Sequence, residues 1–299
     1  MRMKVFTFGM CVLLMLFSVL LRAQNPEIYP LWPSGAKESN GIKASSVKPD
    51  GRIIDNNQAE LVVYHPVKDK NIGMAVIICP GGDYTCLVMR QAVELAGWLS
   101  ERGITAIILK YRMPNGHADI PFTDASRAMR WVRSRAEEWN INPQKVGLLG
   151  LSAGGHLAAT VATHFDLGRS KSTDRIDHYS SRPDFVVLFY PLISISQGMA
   201  SDHFRTSMLG KNYTAELVKK YSNQLHVTVE TPPALIFHSD DDHLVTPLQS
   251  TLFYEALKKK KVAAELHIFN SGGHGWGISE EFEYYPAWTS LLEKWLKKF

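Results

Sequence analysis

The chain has 299 residues, 45% of them hydrophobic and 21% charged, a balance that excludes disordered and collagen-like classes and allows a large buried core. Its formal net charge is +4, and no basic stripe with interleaved aromatics suggests a nucleic-acid partner. Three cysteines make neither a disulfide framework nor a metal-ligand spacing, so no metal is expected.

Residues 1–23, MRMKVFTFGMCVLLMLFSVLLRA, place Arg2 and Lys4 ahead of an apolar run from Met10 to Leu21 and end on Ala23, the layout of a signal peptide. The apolar run is shorter than the ~20 residues a spanning helix needs. The expectation is therefore export, to the periplasm or the cell exterior, with no stable membrane anchor after cleavage. Loss of Arg2, Lys4 and Arg22 with the leader lowers the net charge from +4 to +1. Cys79 and Cys86 then remain as structural or incidental thiols.

Residues 24–59 are rich in Pro, Gly, Ser and Asn without a sustained period and read as an extended N-terminal arm. From residue 60 to 299 a single catalytic domain is expected. Apolar or β-branched runs at 60–65, 74–79, 104–110, 145–151, 185–190, 234–238 and 264–269 read as strands, several of them apolar on both faces. Amphipathic stretches at 90–102, 123–139, 154–164, 248–260 and 286–298 read as helices. In the second, Ala125, Ala128, Met129, Val132 and Ala136 share one face while Arg130, Glu137 and Glu138 lie elsewhere, and Arg127 with Asp124 reads as a structural ion pair. This alternation predicts an α/β fold: a mostly parallel sheet with helices on both faces. Residues 192–232, with a short helix from Ala215 to Tyr221, read as an insertion over one end of the sheet.

Gly150-Leu151-Ser152-Ala153-Gly154 matches G-x-S-x-G where a strand meets a helix, the context that makes this motif informative. The simpler alternative is a serine that caps the helix. A serine hydroxyl is a poor nucleophile unless a base lies within hydrogen-bond reach and a third group orients that base. On such an elbow the partners follow in the order serine, acid, histidine. The strand at 234–238 runs into Asp240-Asp241-Asp242, and the strand at 264–269 runs into Gly272-Gly273-His274-Gly275. His274 is the candidate base. His156 comes too early in the chain, His267 lies inside a strand pattern and His243 adjoins the acids. Asp242 is the candidate acid, Asp241 the second choice, and the remaining acids are placed at the cap of the helix that starts near Pro247. A tetrahedral oxyanion also needs two aimed N–H groups. Ala153 would supply one, and Gly82 or Asp83, in the loop after strand 74–79, the other.

The stretches CPGGDY, LKYRMP, VGLLGLSAGGHLAA, DDDHLVTPLQS and AELHIFNSGGHGWG resemble those of α/β-hydrolase esterases of bacterial polysaccharide degradation, the acetyl xylan esterase-like and feruloyl esterase-like enzymes. The resemblance covers residues 27–298. It implies Ser152 as nucleophile, His274 as base and, by the spacing of the D-x-x-V-P loop, Asp242 three residues before Val245. Two positions depart from the pattern: the loop reads Val-Thr-Pro, and Asp83 stands where a third glycine is common. The expected enzyme is a secreted, cofactor-free serine esterase acting on small acyl esters, acetyl first, of a carbohydrate such as xylan. Tyr84, His203 and Trp276 are candidates for the substrate pocket. A prolyl oligopeptidase-clan exopeptidase and a catalytically silent carbohydrate-binding relative are the alternatives.

Overall fold

The computed structural model describes residues 26–299, so the leader expected at 1–23 lies outside the described residues. Its centre is built from strands that bury nearly every side chain. These are β5 (Met74–Cys79), β7 (Ile104–Lys110), β8 (Val146–Leu151), β9 (Val186–Phe189) and β10 (Ala234–Ser239). Burial on both faces requires cover on both sides, which is why these runs read as continuously apolar. With β11 (Ala264–Phe269) at one edge they form six parallel strands in the order β7-β5-β8-β9-β10-β11. Beyond β7, β4 (Glu60–Tyr64) and then β1 (Glu27–Pro30) add antiparallel, completing eight strands.

Alternate residues of each strand enter two different cores. Ile77, Leu148, Leu188 and Ile236 pack with α2 (Asp119–Ser134), α3 (Ala153–His164) and α6 (Leu248–Lys259). Val76, Ile78, Leu149 and Phe237 pack with α1 (Met89–Glu101) and α7 (Tyr285–Leu296). The molecule is thus a helix–sheet–helix sandwich of the α/β-hydrolase fold, as the alternation of strand and helix predicts.

Several local expectations differ from the structure. The second helix runs from Asp119 to Ser134 rather than 123–139. Pro121 falls in its first turn, where a missing N–H costs nothing, and the chain leaves helix well before Asn140, whose φ is 51°. Asp124 does not pair with Arg127. It is fully buried against Arg112, which holds it bidentately at 2.7–3.1 Å, while Arg127 reaches Asp174 at 2.7 Å. Arg130, placed by periodicity off the apolar face, is only 3% exposed and donates to the Tyr179 carbonyl.

Residues 26–59 contribute to both sheets. Besides β1, it supplies β2 (Ser46–Val47) and β3 (Ile53–Ile54), and β3 pairs with β6 (Cys86–Leu87) in a separate three-stranded sheet. The stretch 192–232 carries α4 (Asp202–Leu209) as well as α5 (Ala215–Lys220). Cys79 and Cys86 are free and buried.

Candidate active site

Ser152 sits between β8 and α3 with φ 53° and ψ −118°. This is a strained conformation for a residue with a Cβ. Its neighbours explain how it is held. A Cβ on Gly154 would lie 2.1 Å from the Cys79 carbonyl oxygen, so only glycine lets α3 start this close to β5. Ser152 carries no helix-capping hydrogen bond, which removes the capping alternative.

Its hydroxyl oxygen lies 2.8 Å from His274 Nε2, and His274 Nδ1 lies 2.7 Å from Asp242 Oδ2. A carboxylate only accepts, so Nδ1 carries the proton and Nε2 is left to accept from the serine O–H. The three side chains named from chain order therefore form one connected line, although they stand 122 and 32 residues apart in sequence. Among the three neighbouring acids the geometry separates the roles. Asp242 is buried and faces the imidazole. Asp241 accepts from the backbone N–H groups of Gly273 at 2.7 Å and Gly272 at 3.2 Å, thereby fixing the loop that carries His274. None of these acids caps α6, whose N-terminus has no side-chain cap.

Asp242 is saturated with donors. Its Oδ1 accepts from the N–H groups of Leu244 and Val245 at 3.0 and 2.8 Å, and its Oδ2 also lies 3.2 Å from His238 Nε2. Burial alone would raise this carboxyl, but bonds from His238, His274 and the Val245 N–H outweigh it and hold the group far below the usual carboxylate range. His238 is itself fixed, with Nε2 donating to the Val245 carbonyl at 2.8 Å and Nδ1 accepting from Ser250 at 2.7 Å. It escaped the sequence reading because it lies inside the apolar strand 234–238. Tyr190 escaped for the same reason. Its ring stands edge-on to His274 at 4.7 Å between centroids, from a backbone with φ 37°.

The N–H groups of Ala153, Gly82 and Asp83 form no hydrogen bond with any other described residue. A Cβ on Gly81 would come within 3.2 Å of Ser152 Cβ, which shows how closely this loop passes Ser152. Gly82 (φ 131°), Asp83 (φ 56°) and Tyr84 (φ 55°) turn the loop sharply, and a Cβ on Gly82 would meet the Cys86 carbonyl oxygen at 2.1 Å. The Asp83 carboxylate is directed to His203, at 3.7 Å. Burial raises its pKa, opposed by His203 and His274.

Ser152, His274 and the Gly81–Asp83 loop open into a cavity of about 430 Å³. Leu192, Met199, Phe204, Leu244 and Val245 give it an apolar wall, and Arg52 stands on its rim. None of the three substrate-pocket candidates lines this cavity, although Tyr84 and His203 line a neighbouring groove. Tyr84 is 2% exposed and packs behind the wall, donating its hydroxyl to His156 Nδ1 at 3.0 Å. Trp276 is buried, stacked on Phe282 at 4.3 Å with Nε1 donating to Ser239. His203 is exposed on α4 and lines a neighbouring groove. Aromatic and histidine identity could not separate packing from lining at these positions. Arg52, Met199 and Phe204 come from segments with no strong period, and only the tertiary fold brings them to the site. Among the described residues no cluster of His, Cys, Asp or Glu is arranged to hold a metal ion.

A mostly parallel sheet wrapped by helices, with a strained serine at a strand-to-helix turn, defines an α/β-hydrolase. The chain belongs to the BD-FAE family, whose pattern matches residues 61–257, and so to the acetyl xylan esterase-like carboxylic ester hydrolases. It is 34% identical over 250 residues to an acetylxylan esterase of Xylanibacter ruminicola, covering 82% of this chain and 49% of that protein. It is 33% identical over 219 residues to an endo-1,4-beta-xylanase B of Butyrivibrio fibrisolvens, covering 72% and 34%. The chain thus spans less than half the length of these two curated relatives. The crystal structure of an acetyl ester-xyloside bifunctional hydrolase from Caldicellulosiruptor lactoaceticus matches with a TM-score of 0.80 and 38% identity, over 91% of this chain and 96% of that one. Thermogutta terrifontis esterase 2 matches with a TM-score of 0.70 and 25% identity, over 92% and 95%.

Proposed function

We propose that this protein is an exported serine esterase that removes small acyl groups, acetyl first, from a polysaccharide such as xylan. The observation that carries the reading is the hydrogen-bonded line Ser152–His274–Asp242 beside three unengaged N–H groups. The similarity to an acetylxylan esterase and an acetyl ester-xyloside hydrolase supports the substrate class, and the leader-like residues 1–23 support export.

In this mechanism Ser152 Oγ attacks the ester carbonyl carbon as His274 Nε2 takes its proton. Asp242 holds the imidazole in the required tautomer and stabilises the imidazolium. The N–H of Ala153 and that of Gly82 or Asp83 receive the negative charge that develops on the carbonyl oxygen, aided by the N-terminus of α3. Collapse of the tetrahedral intermediate breaks the bond to the sugar oxygen, which takes the proton from His274. Water, deprotonated by His274, then hydrolyses the acyl-serine. No organic cofactor or metal enters these steps.

The test is release of acetate from acetylated xylan and of p-nitrophenol from p-nitrophenyl acetate, followed beside Ser152→Ala. The variant is expected to fall to background on both substrates, a loss of roughly 10⁵–10⁶ in kcat, while thermal stability stays close to the parent's. Activity retained by purified Ser152→Ala would overturn the assignment, and release of ferulate in preference to acetate would overturn the acyl group.

A further inference from the structure

Beside the cavity at Ser152 lies a second, more open groove of about 500 Å³. Thr85 lines both, and the Asp83–His203 pair stands at the divide. We infer that this groove binds the glycan chain of the ester, carrying sugar residues next to the acylated one. The inference rests on the esterase reading and deepens it.

Five separate segments build the groove: Ile42 ahead of β2, Asp55 after β3, Tyr84 and Thr85 after β5, the loop after β7, and α4 with the residues that follow it. Its backbone is fastened. Gly116 N–H donates to the Ser207 carbonyl at 2.9 Å, and Asn115 Nδ2 donates to the Asn40 carbonyl at 2.8 Å. Gly116 (φ 86°) and Gly210 (φ 84°) face each other closely, and a Cβ on Gly116 would lie 3.1 Å from the Gly210 Cα, a tight contact in a backbone conformation that already favours glycine.

Its chemistry suits a sugar chain. Asp55, Thr206, Ser207 and Lys211 line the groove, and none of these four polar side chains has a hydrogen-bond or ion-pair partner among the described residues. The floor is apolar, made by Ile42, Met113 and the edge of Tyr84. Donors and acceptors of both kinds around an apolar floor match the alternating hydroxyl and C–H surfaces of a neutral glycan, and the volume falls within the range of ligand sites. One anionic and one cationic side chain balance, so the groove selects for no net charge. A polysaccharide whose ester carbonyl is held at Ser152 continues past Asp83 and His203 into this space. An acyl chain would instead meet the apolar wall of Leu192, Met199 and Phe204.

The experiment compares three substrates, p-nitrophenyl acetate, monoacetylated xylose and monoacetylated xylotetraose, on the parent and on two variants. One is Asp55→Ala/Ser207→Ala/Lys211→Ala, which removes polar partners, and the other is Ser207→Trp, which fills the groove. None of these residues lines the cavity at Ser152. The parent is expected to gain in kcat/KM from xylose to xylotetraose. Both variants are expected to lose roughly tenfold or more on xylotetraose while p-nitrophenyl acetate stays within about twofold. A parent with no chain-length gain, variants that keep it, or variants that lose the small ester in equal proportion would each overturn the groove's role. A folded parent that hydrolyses none of the three would overturn the esterase reading itself. Hydrolysis of p-nitrophenyl acetate without a chain-length effect would overturn the groove alone.

Discussion

His156→Gln isolates one buried titration. His156 lies on α3, fully buried, with Nε2 donating to the Tyr221 carbonyl at 2.8 Å and Nδ1 accepting from Tyr84 at 3.0 Å. Acceptance from Tyr84 at Nδ1 requires the neutral ring, and burial pushes the pKa down from 6.5 to about 4, partly offset by the Tyr221 carbonyl, which favours the protonated form. The unfolded chain therefore takes up this proton first as pH falls. The stability contribution is complete above pH 6.5 and is lost progressively toward pH 4. Between pH 7 and pH 5 the loss is about 2 kcal/mol for this one group. Glutamine can accept from Tyr84 and donate to Tyr221 but does not titrate. Urea unfolding at pH 7 and pH 5 should show the parent losing about 2 kcal/mol more than the variant, after other groups cancel in the comparison. Equal losses in the two proteins would refute a neutral, proton-resisting His156.

Asp242→Asn keeps the shape of the acid but removes its charge, and should lower kcat on p-nitrophenyl acetate by about 10³–10⁴-fold with little change in KM, measured by steady-state kinetics. Arg112→Leu leaves the Asp124 carboxylate buried without its cationic partner, with Trp32 Nε1 still donating to it. It should cost about 3–5 kcal/mol, read as a fall of roughly 10 °C in Tm, and Asp124→Leu added to it should restore part of the loss. Asp241→Ala releases Gly272 and Gly273 N–H. It should reduce kcat by roughly tenfold with less than about 1 kcal/mol of destabilisation, because these bonds are exposed and water replaces them. Equal kcat in parent and variant would mean that Asp241 does not hold the histidine loop.

The parts of the molecule legible in the sequence are those whose periodicity or spacing is imposed locally. Five strands buried on both faces leave runs such as MAVIIC and ALIFH, and the elbow leaves its small residues around Ser152 because a Cβ at Gly154 would strike Cys79. The order serine, acid, histidine is likewise a property of the chain. The rest depends on contacts that sequence distance hides. Asp124 takes Arg112, twelve residues back, rather than Arg127 on the same helix, because Arg112 leaves β7 directly beneath it. Tyr84 and Trp276 carry rings that suit a pocket, yet their polar ends find buried partners, His156 and Ser239, away from the cavity. α4, only eight residues long, leaves too little period to distinguish it from a loop, although it forms one wall of the site.

The small sheet β2-β3-β6 has a consequence for how specificity can vary. Ile53 and Ile54 pair with Leu87 and Cys86, immediately after the Gly81–Asp83 turn that passes Ser152. A segment outside the main sheet thus braces that turn and carries Arg52 to the rim. Substitution of Arg52, the one residue of 46–54 that lines the cavity, can reshape the entrance while Ser152, His274 and the central strands remain untouched. Exposed positions of this brace, Arg52 among them, can vary at little cost to the fold, whereas Ile53 belongs to the core.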